Sequence, residues 1–188
     1  MTDSKSYHSY LLTRSTFALY YRNLYLYPKL SRNLTGEVLD VGCGIGDFLR
    51  FRKNTVGTDI NESIVEHCKS QGLNVVLFEN GKLAFDDNSF DGIVLDNVLE
   101  HITDPTTLLT EINRVLRKGG RFIIGVPGIK GYATDPDHKI YYDDQTLSAV
   151  EKFGFRGVKS FHAPLFKSTW LSKRIRQYCL YKVFECIK

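Results

Sequence analysis

Short apolar runs alternate with amphipathic segments over the middle of this chain. The apolar runs predict strands at residues 38–41, 55–59, 75–78, 92–96 and 121–126. The segments between them carry apolar residues three or four positions apart and predict helices at residues 47–52, 62–71 and 106–117. Strands without polar alternation are covered on both faces, so the pattern predicts a mostly parallel sheet between two layers of helices.

The pattern changes after Pro127. A polar loop is expected at residues 128–140, and Asp144 is expected to cap a helix that runs to Phe153 and stops at Gly154. The remaining elements are predicted as a strand at 158–162, a helix at 165–176 and a last strand at 179–187. With right-handed crossovers, these seven strands predict an α/β, Rossmann-like, doubly wound sheet with an antiparallel C-terminal edge strand.

Residues 7–34, which precede the first strand, are rich in Tyr and Leu and contain no glycine. Their apolar spacing predicts one or two amphipathic helices, with Pro28 as the expected interruption. The tyrosines have apolar bulk and a polar tip, so they either pack this segment onto the sheet or line a substrate pocket.

Three glycines on alternate positions follow the first strand: Gly42, Gly44 and Gly46. Without Cβ atoms they allow a ligand to lie on the backbone, and the following helix start offers unpaired N–H groups. A dinucleotide would require G-x-G-x-x-G, but Asp47 occupies the last position and its carboxylate would repel a pyrophosphate. S-adenosylmethionine, which carries both an amine and a carboxylate, fits this turn better; the alternative is a strand–helix turn without a ligand.

Acidic residues stand at or just beyond four strand ends: Asp40, Asp59, Glu79 and Asp96. Carboxyl ends of parallel strands meet at one edge of the sheet, where ligands of such folds bind. Because like charges gathered on one edge do not favour folding, this pattern predicts a ligand site there.

Four blocks together resemble the class I S-adenosylmethionine-dependent methyltransferases. The blocks are residues 38–46, 56–60, 90–102 and 114–122. The resemblance implies the fold predicted above, S-adenosylmethionine as cofactor and S-adenosylhomocysteine as product. The segment from Gly125 to Tyr142 is similar to members that act in glycan and small-metabolite pathways.

The resemblance also assigns cofactor roles by position. Gly42, Gly44 and Gly46 match the loop under the methionine part, and Asp40 matches the acidic residue that helps to bind its amino group. Asp59 matches the carboxylate that accepts both ribose hydroxyls, and Ile60 would pack against adenine.

Two further pairs of residues match cofactor-binding positions. Glu79 and Asn80 occupy the adenine-binding position, where the family usually has Asp followed by a small residue. Asp96 and Asn97 match positions whose backbone meets the methionine end of the cofactor.

A hydroxyl acceptor would benefit from a base that removes its proton. His138, with Asp135 and Asp137 nearby, is the first candidate, and His101 is the second. The alternatives are an exposed loop histidine at 138 and a packing role at 101.

The expected reaction is methyl transfer to a small-molecule or sugar (glycan-precursor) acceptor. A methyltransferase of RNA or protein and a non-catalytic binding protein are the alternatives. A nucleic-acid acceptor is not expected, because the prolines and aromatic that hold a flipped base are missing after Asp96.

Length, composition and charge bear on the domain organisation, location and partners of the protein. We expect one domain over residues 1–188, made of the extension at 7–34, a cofactor-binding core at 37–126 and a substrate-side region at 127–188. The N-terminus has no apolar signal core and the four cysteines are scattered, which favours a cytoplasmic location. No C-x-x-C pair or histidine cluster predicts a metal. Basic residues after position 166 form either a solvated helix face or a weak contact with an anionic partner such as a membrane surface.

Overall fold

A seven-stranded sheet forms the centre of the protein, for which a computed structural model describes residues 16–188. The strands are β1 Val38–Val41, β2 Thr55–Asp59, β3 Val75–Leu77, β4 Phe90–Asp96, β5 Leu116–Pro127, β6 Phe155–Ala163 and β7 Cys179–Cys186. Their order across the sheet is β3-β2-β1-β4-β5-β7-β6. Strands β1 to β5 are parallel, and β7 is antiparallel to both of its neighbours. The predicted fold class is confirmed.

Within residues 16–188, seven short helices cover the sheet. They are α1 Thr16–Tyr21, α2 Tyr27–Ser31, α3 Asp47–Phe51, α4 Glu62–Ser70, α5 Thr106–Val115, α6 Ile129–Ala133 and α7 Thr169–Arg174. A π-helical turn at Arg22–Leu26 joins α1 to α2, and 3₁₀ helices occupy Leu99–His101 and Thr146–Phe153. None of the helices within residues 16–188 is long and apolar enough to cross a membrane.

The antiparallel strand lies inside the sheet and not at its edge. In β7 every residue except Glu185 is buried, whereas β6 exposes Val158, Lys159 and Ser160 to solvent. The more polar strand therefore takes the outer position, where unpaired edge groups face water. This corrects the predicted place of the C-terminal strand.

The helix expected at residues 106–117 ends two residues early. Leu116 already pairs with Phe90 of β4, and the register then shifts so that Gly92 pairs with Arg121. The Lys118-Gly-Gly segment forms an irregular stretch of β5, with Gly119 at φ +76°, and does not close a helix.

The helix expected from Asp144 to Phe153 is a 3₁₀ helix with a different cap. The Asp143 carboxylate accepts a hydrogen bond from the Thr146 amide at 2.8 Å, and the Thr146 hydroxyl in turn accepts one from the Asp143 amide at 2.8 Å. Asp144 instead accepts a hydrogen bond from Ser160 and forms an ion pair with Lys182. The predicted stop at Gly154 is confirmed, with φ +83°.

The N-terminal segment packs on the sheet as one continuous helical stretch. Pro28 does not interrupt it: the residue lies in the first turn of α2, directly after the π-helical turn, and Leu26 before it keeps helical dihedral angles. Tyr27 is buried with its ring centroid 5.2 Å from that of Phe48, so this tyrosine packs against the main body. The part of the predicted helices at residues 7–15 lies outside the described residues.

Candidate active site

The order of the strands gathers the acidic residues at one edge. Asp59 ends β2, Asp40 lies near the end of the adjacent β1, and Asp96 ends β4 on the other side of β1. Burial, reinforced by the charges of Asp96 and Asp59, raises the pKa of Asp40 to about 8. Asp40 accepts no hydrogen bond from residues within 16–188, which leaves its carboxyl group available to a ligand cation.

Backbone conformation and internal packing both favour glycine in this turn, independently of any ligand. Gly42, Gly44 and Gly46 all have positive φ, at +73°, +51° and +80°. A Cβ on Gly42 would lie 2.4 Å from Val98 Cγ2, and one on Gly46 would lie 2.4 Å from Leu73 Cδ1. These two glycines therefore satisfy backbone conformation and internal packing, in addition to the ligand approach that the sequence predicts for all three.

Asp59 holds the glycine turn against the end of β2. One carboxylate oxygen accepts a hydrogen bond from the Gly44 amide at 3.1 Å, and the other accepts one from the Asn61 amide at 3.0 Å. Burial raises the pKa of Asp59, and these amide hydrogen bonds oppose the shift. On the other side of the turn, the Cys68 thiol donates to the Gly44 carbonyl.

The residues expected around adenine lie beside this turn. Ile60 follows Asp59 directly and is 76% exposed, so an apolar surface is open next to the acidic edge. Glu79 and Asn80 form an exposed turn after β3, in which the Lys82 amide donates to the Glu79 carbonyl at 3.1 Å and Asn80 has φ +55°.

Asp96 and Asn97 close the edge at β4. The Asn97 side-chain amide donates to Asp96 at 2.9 Å, and the Asn97 main-chain amide donates to the Gly125 carbonyl at 2.9 Å. A Cβ on Gly125 would lie 2.4 Å from the Asp96 carboxylate, so this glycine makes room for the acidic side chain. Asn97 has φ +56°, which marks a sharp turn out of β4.

Arg22, which sequence reasoning missed, brings a cation to the acidic edge. Its guanidinium donates to the Tyr27 hydroxyl at 3.3 Å. Its positive charge partly opposes the rise in the pKa of Asp40. Burial lowers the pKa of Arg22, but the charges of Tyr27 and Asp96 outweigh it and raise the pKa. The feature of the sequence that could have indicated this role is a single arginine within a largely apolar helical segment. The neighbouring Tyr21 hydroxyl is buried without a hydrogen-bond partner among the described residues, and burial raises its pKa.

Both candidate histidines lie together just beyond β4. The ring centroids of His101 and His138 are 4.6 Å apart, and His138 Nδ1 lies 2.9 Å from the Tyr132 carbonyl oxygen. The Tyr132 ring stacks on His138. Burial and the adjacent His138 lower the pKa of His101. The side chain of His138 is buried, in contrast to the alternative of an exposed loop histidine.

Glu100 completes this group and was also missed. It is fully buried, and burial raises its pKa to about 8. Its Oε1 lies 3.8 Å from His138 Nε2, and ligand atoms of Glu100, His101 and His138 all lie within 4.8 Å of one another. The sequence suggested no such group because the loop that carries His138 is remote along the chain. A charge inside the apolar run Val98-Leu-Glu-His-Ile was the available signal.

Comparison with known proteins shows which proteins the chain is similar to. Residues 39–124 match the family described as "Methyltransferase domain". The chain is 31% identical over 98 residues to the ubiquinone/menaquinone biosynthesis C-methyltransferase UbiE of Desulfotalea psychrophila, a match that covers 47% of this chain and 40% of that protein. It is 33% identical over 94 residues to the Bos taurus protein named "Probable tRNA methyltransferase 9B", covering 47% of this chain and 21% of that protein.

The whole fold has solved counterparts. An S-adenosylmethionine-dependent methyltransferase from Thermotoga maritima superposes with a TM-score of 0.75 at 19% identity, covering 98% of this chain and 97% of that one. The chain spans 21% to 67% of the length of the curated relatives it matches. Residues 39–124 therefore match a methyltransferase domain, and the fold of the whole chain is the one that this S-adenosylmethionine-dependent methyltransferase has.

Proposed function

We propose that this chain transfers a methyl group from S-adenosylmethionine to a hydroxyl oxygen of a small-molecule or sugar (glycan-precursor) acceptor. The observation that carries the proposal is the paired histidines at the carboxyl edge, directly beyond the strand that ends at Asp96. A hydroxyl acceptor gains from such a proton-accepting group, whereas a carboxylate acceptor has already lost its proton.

The residues at the other end of the edge fit the cofactor. The buried carboxyl group of Asp40, with no hydrogen-bond partner among residues 16–188, suits the amino group. Asp59 has free lone pairs for ribose hydroxyls although each oxygen already accepts one amide, and Ile60 offers its exposed side chain to adenine.

His138 would accept the proton of the acceptor. The Tyr132 carbonyl can only accept, so Nδ1 of His138 carries the hydrogen and Nε2 presents its lone pair. S-adenosylmethionine supplies a methyl group on a sulfonium, whose sulfur leaves as a neutral thioether. The acceptor oxygen forms the new bond to carbon, the C–S pair returns to sulfur, and the hydroxyl proton passes to Nε2.

Aromatic side chains favour a sugar-like acceptor. The Tyr132 and Tyr141 rings meet edge to face at 5.4 Å beside His138, and Tyr141 is partly exposed. Such rings offer flat apolar faces with a polar tip, which suits a ring that carries several hydroxyls.

Calorimetry and product analysis test the proposal together. The full chain should bind S-adenosylmethionine in the micromolar range and methylate a member of a panel of sugars, nucleotide sugars and phenols, detected by mass spectrometry. His138→Gln should lower kcat by about 100-fold or more and leave cofactor affinity unchanged. His162→Gln, on β6, is the matched control. Absence of cofactor binding would refute the proposal, and binding without any methylated product would favour the non-catalytic alternative.

We also propose that α7 contacts an anionic membrane surface. Here a cationic–aromatic patch combines Trp170, which is 62% exposed, with Lys130, Lys173 and Arg174. The Arg174 guanidinium lies 5.1 Å from the Trp170 ring centroid. Exposed aromatic rings beside cations suit the boundary between lipid headgroups and acyl chains.

Not all of the basic residues near the C-terminus contribute to this patch. Lys182 donates to the Asp144 carbonyl and the Ser148 hydroxyl, and Lys188 donates to the carbonyls of Asn113 and Arg114. These two cations are used inside the fold. Lys130 of α6 likewise donates to the Arg174 carbonyl at 2.9 Å, so the proposed contact rests on Lys173 and Arg174 of α7.

Trp170 is the only tryptophan and reports directly on this contact. Its emission should shift to shorter wavelength with phosphatidylcholine vesicles that contain phosphatidylglycerol, and not with phosphatidylcholine alone. Lys173→Glu combined with Arg174→Glu should abolish the shift, whereas Lys53→Glu combined with Lys152→Glu should not. Equal shifts with both vesicle types, or none, would argue against the membrane contact.

A further inference from the structure

We propose that Glu100, His101 and His138 form a binding site for one divalent transition-metal cation, of the class of Mn²⁺ or Zn²⁺, that also binds the acceptor's hydroxyl oxygen. This inference rests on the proposed function for its second part, the acceptor. The metal site itself stands on the geometry of the three side chains.

The three side chains point ligand atoms into one small space. These atoms lie within 4.8 Å of one another, and Glu100 Oε1 is 3.8 Å from His138 Nε2. Small rotations of the side chains would bring them to the distances of about 3 Å that separate ligands bound to one cation at roughly 2.1 Å.

The buried carboxylate provides an independent reason for a cation. Glu100 is 0% exposed, and neither of its carboxylate oxygens has a hydrogen-bond partner among the described residues. A buried polar group without a partner costs folding free energy, and a buried charge costs more. A cation between Glu100 and the two imidazoles would offset this cost.

The surroundings orient His138 for this role. Its Nδ1 is held by the Tyr132 carbonyl at 2.9 Å, which leaves Nε2 as the nitrogen that faces Glu100. Imidazoles that bind metals commonly donate their other N–H to such a carbonyl. The loop is also tied to Glu100 itself, because the Glu100 carbonyl accepts hydrogen bonds from the amides of Lys139 and Ile140 at 2.7 and 3.1 Å.

The ligand set indicates the class of cation. Two imidazole nitrogens and one carboxylate suit first-row divalent transition metals and leave coordination positions open. An acceptor oxygen in an open position would lose its proton more readily, because a bound divalent cation lowers the pKa of the hydroxyl. The cation would then replace Nε2 as the group that favours proton loss. The proton would leave to water by way of Asp135, whose carboxylate lies 3.9 Å from that nitrogen.

Metal binding can be measured without turnover. The full chain, stripped with a chelator, is titrated with MnCl₂ by electron paramagnetic resonance and with ZnCl₂ by calorimetry. We expect one cation per chain. Glu100→Gln and His138→Gln should each weaken binding by about 10-fold or more, and His162→Gln should bind as the parent does. Circular dichroism checks that each variant is folded.

The outcomes separate the two proposals. No stoichiometric cation binding, or equal binding by Glu100→Gln and the parent, overturns the metal site. If the chain then still binds S-adenosylmethionine and methylates an acceptor, the proposed function stands with His138 as the base. Cation binding that depends on Glu100 in a chain that does not bind S-adenosylmethionine supports the metal site and refutes the proposed function.

Discussion

Asp59 accepts a hydrogen bond from the Gly44 amide at 3.1 Å, so the carboxylate expected at the ribose and the glycine turn expected at the methionine part form one unit. The same carboxylate holds the Asn61 amide, and the Asn61 side chain caps α4. We therefore expect a change at Asp59 to affect the turn and the next helix as well as the predicted ribose contact.

Asp59→Ala should weaken S-adenosylmethionine binding by about 10- to 100-fold, since a charge-assisted contact is worth roughly 1.5–3 kcal/mol. It should also lower Tm, because the Gly44 and Asn61 amides lose their acceptor. Calorimetry and thermal melts measure the two effects. Glu66→Ala, which removes an exposed carboxylate from α4, is the control. Unchanged affinity in Asp59→Ala would contradict the ribose role.

Asp40→Asn should stabilise the protein at alkaline pH. The ordinary pKa of this carboxyl is 3.8 and the folded chain raises it to about 8, so the folded state binds more protons between these values. Stability of the parent therefore falls as pH rises through this window, and the loss is complete above pH 8. The variant should gain about 2 kcal/mol at pH 9 and little at pH 4.

Urea unfolding at several pH values measures this difference, with Glu66→Gln as the exposed-carboxylate control. Parallel stability curves for Asp40→Asn and the parent would show that Asp40 is ionised in the folded protein without cost.

Gly42→Ala should cost more stability than Gly72→Ala, although the two glycines have almost the same φ, +73° and +72°. A Cβ at Gly72 meets nothing within 4 Å, so only backbone strain of about 1–2 kcal/mol is expected there. At Gly42 the Cβ would lie 2.4 Å from the stiff Val98 side chain, which adds roughly 1–3 kcal/mol. Urea unfolding compares the two variants.

Combining Gly42→Ala with Val98→Ala tests the cause. The double variant should recover part of the extra cost, since the contacting methyl is gone. If Gly42→Ala and Gly72→Ala cost the same, contact with Val98 does not explain the glycine at position 42.

Asp143→Ala should destabilise the protein by about 1 kcal/mol, because the Thr146 amide loses its cap. Asp143→Asn keeps an acceptor oxygen and should cost only a few tenths of that amount. Chemical unfolding distinguishes the two, and equal losses would show that the charge of Asp143, not its cap, is what matters.

Local pattern was enough for most of the fold. The strands β1 and β2 have the predicted bounds. Each is a short run of residues that ends at a glycine turn or an acidic residue, as buried parallel strands of this kind of sheet do. The alternate glycines and the carboxylates at strand ends likewise follow from rules that act within a few residues. Sequence therefore determined the class of fold and the edge of the sheet at which the acidic residues meet.

Contacts between distant segments were decided only by the tertiary structure. The place of β7 inside the sheet depends on which strand is better buried. Asp144, the predicted cap, instead pairs with Lys182 of β7, and Asp143 accepts from the Thr146 amide. Arg22 reaches the acidic edge because its helix packs on the sheet. Glu100 meets His138 because a loop after β5 folds back over β4. Such contacts depend on how distant segments pack together, and the periodicity within one segment does not encode that packing.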